Sequence, residues 1–107
     1  MDIDDYVAWA AKTARISAGG TRDRELLSYL GLGLAGEAGE VADHVKKLLR
    51  DGESAWRPEH VADELGDLIY YWAAFCAAIG RSPGDVLAAS RAKIEARIAV
   101  KAEPGKP

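Results

Sequence analysis

Glycine and proline interrupt this chain at only a few places, and that sparse punctuation decides what it can fold into. The breaks are Gly19-Gly20, the stretch from Asp51-Gly52 to Arg57-Pro58, Gly80 to Pro83-Gly84, and the closing Glu103-Pro104-Gly105-Lys106-Pro107. Four segments of helical length lie between them. Ile3, Tyr6, Val7, Ala10, Ala11 and Ala14 recur at helical spacing, which predicts a first helix from about Asp2 to Ala18, capped by Asp2 or Asp4. A second is expected from near Thr21 to about Arg50, and a third from Pro58, a residue suited to a first turn, to just before Gly80. The fourth opens with Ser82 as cap and Pro83 at the first helical position, and fades by Ala102. Valine and isoleucine together number 12 and threonine two, against abundant Ala, Leu, Glu, Lys and Arg, so helix is favoured over sheet. The expected fold class is all-α.

Of 52 apolar residues, 20 are alanine, leaving 32 larger ones, enough for one domain and not for two. Spread over four helices, so few large side chains predict that some apolar surface is buried between subunits, in a helical homodimer or homotetramer. One domain is expected over 1–103, with a flexible tail at 104–107. A net charge of −3 suggests neither nucleic acid nor an anionic membrane as partner, although residues 81–107 carry six basic against three acidic groups. The single cysteine, Cys76, excludes an internal disulfide and reads as a small core residue. The opening Met-Asp-Ile-Asp-Asp lacks the basic start and apolar run of a signal peptide. The most apolar stretch, Leu68 to Ile79, has 12 residues against the roughly 20 that span a bilayer. A cytoplasmic location is expected.

Gly31-Leu-Gly33-Leu-Ala-Gly36 matches G-x-G-x-x-G, the dinucleotide fingerprint, but that motif works only between a strand and a helix N-terminus. Glu25-Leu-Leu-Ser-Tyr-Leu30 ahead of it reads as helix, so no dinucleotide site is expected. Gly31, Gly33, Gly36 and Gly39 inside a helix cost roughly 1 kcal/mol each relative to alanine. Either a neighbouring helix packs very close to them, or they leave room for a ligand beside Glu37 and Glu40.

The chemistry is most visible in Glu37-Ala-Gly-Glu40 and Glu64-Leu-Gly-Asp67, two acidic pairs at i, i+3. At about 100° per residue, each pair subtends roughly 60° on its helix, so both carboxylates project from one face. Asp43 and Lys47 share the face of Glu40, while Leu34, Val41, Val45, Leu48 and Leu49 lie to one side; His60, Asp63 and Tyr71 share the face of Asp67, with Val61, Leu65, Leu68, Ile69 and Trp72 on the other side. The acids therefore border the packing face. If the two helices are antiparallel neighbours roughly 8–10 Å apart, Glu37, Glu40, Glu64 and Asp67 converge. Carboxylates that close repel unless protonated or bridged by cations, and an all-oxygen set suits Mg²⁺ or Mn²⁺. Neither His44 nor His60 follows a glutamate at the i, i+3 spacing of a di-iron bundle, so iron is the weaker alternative. From spacing alone, a metal centre and two solvated acidic faces both stand.

Gly31-Leu-Gly-Leu-Ala-Gly-Glu37-Ala-Gly-Glu40-Val-Ala-Asp43-His-Val-Lys46-Lys47, followed by Glu64-Leu-Gly-Asp67-Leu-Ile-Tyr70-Tyr71, resembles the MazG-like family of all-α nucleoside triphosphate pyrophosphohydrolases. Their signature is E-x-x-E, a spacer, then E-x-x-D, and the spacer here, Val41 to Asp63, is 23 residues. Tyr6 to Thr13 is similar to the family's opening helix. The resemblance implies hydrolysis of a nucleoside triphosphate to the monophosphate and pyrophosphate by a helical oligomer, with Mg²⁺ held by Glu37, Glu40, Glu64 and Asp67. It also implies Lys47 as a phosphate contact, Tyr71 as a contact near sugar or base, and Lys93 and Arg97 on the last helix as further substrate contacts. Ser90 stands where the family often has Asn. Trp9 and Trp56 are candidates for stacking on a base. The rivals are a related enzyme acting on dUTP, dUDP or a phosphoribosyl-nucleotide, and a non-enzymatic oligomerisation module.

Overall fold

A computed structural model describes residues 1–102; the expected tail, 104–107, lies outside the described residues. Four helices follow one another: α1 (Ile3–Thr13), α2 (Arg24–Asp51), α3 (Pro58–Ala78) and α4 (Pro83–Ala102), with a 3₁₀ turn at Glu53–Ala55. Among the described residues there is no strand, and no helix is long and apolar enough to cross a membrane. The starts follow the expected chemistry. Asp2 accepts from the Asp5 N–H at 2.8 Å, Asp23 accepts from the Glu25 and Leu26 N–H groups, Pro58 opens α3, and Ser82 accepts from the Asp85 N–H.

The end of α1 departs from expectation. It stops at Thr13, five residues before Ala18, in a Schellman closure: the Ile16 N–H donates to the Ala11 carbonyl and the Arg15 N–H to the Lys12 carbonyl. Arg15 takes the left-handed position that glycine usually fills, at φ 59°. Stopping there turns Ile16 back onto the cluster of Leu30, Ala74 and Ala78. Packing ends the helix where no glycine marks it.

α2 and α3 form the central antiparallel pair. Along it Leu30 lies with Ala74, Gly33 with Tyr71, Glu37 with Glu64, and His44 with His60, so numbers rise on one helix as they fall on the other. α1 packs on α3 through Val7, Ala10 and Ala73. Four of the seven buried hydrophobic residues are alanines, which lets backbones approach closely; Cys76 is among the others, and burial pushes its thiol up, away from nucleophilic use. The glycines of α2 divide between the two expected roles. A side chain at Gly33 would overlap the Tyr71 ring, and one at Gly31 would meet Phe75, whereas Gly36 and Gly39 face open space. α4 packs on α1 and α3 but buries no residue.

One end of the bundle is tied backbone to backbone. The Thr21 N–H donates to the Ala78 carbonyl at 2.7 Å, and Gly20 (φ 97°) and Gly80 (φ 67°) let the two loops cross. A Cβ at Gly20 would lie 2.5 Å from the Ala78 carbonyl oxygen. Gly20→Ala is therefore expected to lower stability by about 1–3 kcal/mol, while Gly36→Ala, helical and unobstructed, raises it by up to about 1 kcal/mol. Thermal unfolding of the two variants beside the wild type checks both signs.

Candidate metal centre

Glu37 projects from the middle of α2 toward α3, one turn beyond the Gly33–Tyr71 contact, and meets Glu64 and Asp67 there. One carboxylate oxygen from each of the three lies within 4.8 Å of the others. Glu37 Oε2 is buried and has no hydrogen-bond partner among the described residues. The Glu64 carboxylate beside it, close enough to share a proton, then burial, then the charges of Asp67, Glu64 and Glu40, hold the Glu37 carboxyl above the usual carboxylate range. Glu37 therefore combines one buried, unpartnered oxygen with a position beside two more acids. Three carboxylate oxygens are hard donors of the kind that suit a divalent cation, which takes water or phosphate oxygens in its remaining positions.

Three of the four expected acids are thus brought together, and Glu40 is not. It is exposed, outside the cluster, although its charge is still felt at Glu37. Lys47 is spoken for as well, since its Nζ lies 3.0 Å from Asp43 Oδ2, with Lys46 3.1 Å from the other oxygen; the two lysines, Lys47 first, hold the Asp43 carboxyl below its ordinary range. Tyr71 lies near enough to Glu37 to feel its charge. A hydrogen bond with Tyr29, then burial, leave its phenol pushed up to about 12, so it stays protonated and serves as a hydrogen-bonding group. Lys93 and Arg97 lie apart from the acids. Lys93 lines a groove with Arg81, Asp85, Val86, Ala89 and Ser90, and with Arg97 a shallow apolar one along α4, neither of which any of the four acids lines. Trp56 ends the 3₁₀ turn and joins no ring contact among the described residues.

A family model described as the MazG nucleotide pyrophosphohydrolase domain matches residues 26–99, well over half of the chain and all of the acid cluster. The chain belongs to the MazG family. It is 44% identical over 75 residues to the Gene 37 protein of Mycobacterium phage L5, an alignment that covers 66% of each, just under two thirds of the relative's own length. No solved structure matches it. The MazG family is one of nucleotide pyrophosphohydrolases that typically use a divalent metal, and the cluster of Glu37, Glu64 and Asp67 lies inside the matched segment.

Helical spacing alone does not pair His44 with this MazG cluster, but the fold does. His44 Nε2 lies 3.8 Å from Glu64 Oε1, with the His60 ring 6.2 Å from its own. The signal for it is in the sequence, because His44 is seven residues beyond Glu37 and so on nearly the same face of α2.

The crowding of carboxylates sets a sign for pH dependence. A carboxyl whose folded-state pKa is raised binds more protons folded than unfolded, so its stabilising contribution is present below the ordinary carboxylate pKa and is lost as pH rises through the raised value. Without metal, Glu37→Gln should unfold at a higher temperature than wild type at neutral pH, with the gap closing on acidification. Thermal scans at several pH values in chelator give this directly.

Proposed function

We propose that this protein hydrolyses nucleoside triphosphates, ribo- or deoxyribo-, to the monophosphate and pyrophosphate, clearing unwanted nucleotides from the cytoplasmic pool. The observation that carries the reading is the convergence of Glu37, Glu64 and Asp67 from two helices, with one Glu37 oxygen buried and without a hydrogen-bond partner. The family match supports the reaction class.

In this reading Glu37, Glu64 and Asp67 hold Mg²⁺, or Mn²⁺ in its place, and Glu40, one turn from Glu37 on the outer side of the cluster, completes the set. The bound ion supplies charge neutralisation on the phosphate oxygens and acidifies an attacking water. The protein's own residues do the positioning. The antiparallel α2–α3 pair fixes three carboxylates with little freedom to turn away, so the site is organised before substrate arrives. One of the four carboxylates also accepts the proton of the attacking water, through its oxygen that does not face the ion. Tyr71, held by Tyr29 and set against Gly33, presents a neutral hydroxyl near the sugar. Lys47 exchanges an exposed ion pair, weak in water, for a phosphate oxygen.

The proposal includes a homodimer or homotetramer. The radius of gyration is 17.3 Å, against about 13 Å for a compact chain of this length. Leu49 on α2, Leu65 on α3, and Leu87, Ile94 and Ile98 on α4 remain exposed. A further copy covering those faces gives α4 the packing it lacks in one protomer, and Lys93 and Arg97 then serve the triphosphate from the assembled surface.

Glu40→Gln and Asp67→Asn should each reduce pyrophosphate release to background while leaving helical content unchanged. Release assays across ribo- and deoxyribonucleoside triphosphates, with dUTP, dUDP and phosphoribosyl-ATP alongside, check the reaction and its substrate class together.

A further inference from the structure

Five of the eight aromatic side chains form one unbroken row across three helices. Trp9 touches Tyr6 on α1, with ring centroids 5.4 Å apart, and Tyr70 on α3 at 5.8 Å. Tyr70 touches Tyr71 at 5.6 Å, and Tyr71 touches Tyr29 on α2 at 6.0 Å. The row runs beside the carboxylates, since Tyr70 and Tyr71 come three and four residues after Asp67, on the next turn of the same face.

Packing accounts for much of this row, because Tyr6 and Tyr70 lie on the Val7, Ala10 and Ala73 cluster. It does not account for Trp9. That indole is 53% exposed although it lies against two tyrosines. Neither contact is a parallel stack, the rings being inclined at 51° and 69°, so no neighbouring ring blankets an indole face. A tryptophan braced on two sides loses little freedom when a flat ligand lies on it. Every nucleobase offers such a face, and stacking on an aromatic ring tolerates any base.

We propose that Trp9, braced by Tyr6 and Tyr70, is the platform on which the nucleobase of the triphosphate stacks while its phosphates lie at Glu37, Glu64 and Asp67. This rests on the triphosphate reading above and adds where the base is held. Burial, then the charges of Tyr70 and Asp67, keep the Tyr6 phenol protonated, so its O–H remains a donor for a sugar or base oxygen at the edge of the stack. Recognition of this kind selects for having a base more than for which base it is.

The test compares two ligands, each with Mg²⁺, by calorimetry: an α,β-imido nucleoside triphosphate, and inorganic tripolyphosphate, which carries the phosphates without a base. Trp9→Ala is expected to weaken the analogue about tenfold or more, Trp9→Phe to recover most of that loss, and tripolyphosphate to bind all three proteins alike. Unchanged tripolyphosphate affinity also reports that the variants are folded. Equal analogue affinity in Trp9→Ala and wild type overturns the platform. So does a parallel loss of both ligands in Trp9→Phe, and so does a change of oligomeric state on sedimentation, which would make Trp9 a contact between copies. Failure of the wild type to bind either ligand overturns the triphosphate reading itself, an outcome distinct from the others.

Discussion

Mutual repulsion among Glu37, Glu64 and Asp67 is the constraint around which the rest of the molecule is arranged. Left to themselves, carboxylates on exposed helices turn toward water and apart. Here they are held together because α2 and α3 approach closely on either side of the site. Toward the loop end the closeness comes from Leu30 against Ala74 and Ala78 and from Gly33 beneath Tyr71. Toward the other end, His44 and His60 lie across from each other. Packing concentrates negative charge that only a proton or a cation can relieve, and the raised pKa of Glu37 is the trace of that conflict. Such crowding is the kind of local cost that proteins carry where function and folding compete.

The open shape of the protomer follows from the same sparse supply of large apolar side chains. Alanine lets α1, α2 and α3 come close but contributes little burial area, and what remains is insufficient to bind α4 firmly. Val86 is half-buried against an apolar hollow bounded by Leu34, Trp72, Phe75, Cys76 and Ile79, and beyond it α4 is exposed throughout. That helix carries Lys93 and Arg97 on one side and exposed Ile94 and Ile98 elsewhere, and in the proposed oligomer it meets both another copy and the triphosphate.

Much of this was legible in the residues. Helical spacing and punctuation located all four helices, and the two i, i+3 acidic pairs include the three acids that the fold brings together. What was not legible depends on how helices rotate against one another. Glu40 is only about 60° from Glu37 around α2, yet that rotation carries it out of the cluster, and nothing local to Glu37-Ala-Gly-Glu40 says which acid faces inward. The end of α1 was hidden because Arg15, a residue with no special liking for a left-handed backbone, is forced there by the burial of Ile16. The aromatic row was hidden for a similar reason, since Tyr6, Trp9, Tyr29 and Tyr70 come from three helices and become neighbours only on folding.

The central claim is that crowded carboxylates between α2 and α3 await a divalent cation. Its most direct test is calorimetric titration of metal-free protein with Mg²⁺ at mildly acidic pH, repeated in two buffers of different ionisation enthalpy. The account predicts saturable binding whose heat depends on the buffer, because a cation entering the crowded carboxylates displaces the protons they bind. Absence of saturable binding, or binding that releases no proton, would contradict it.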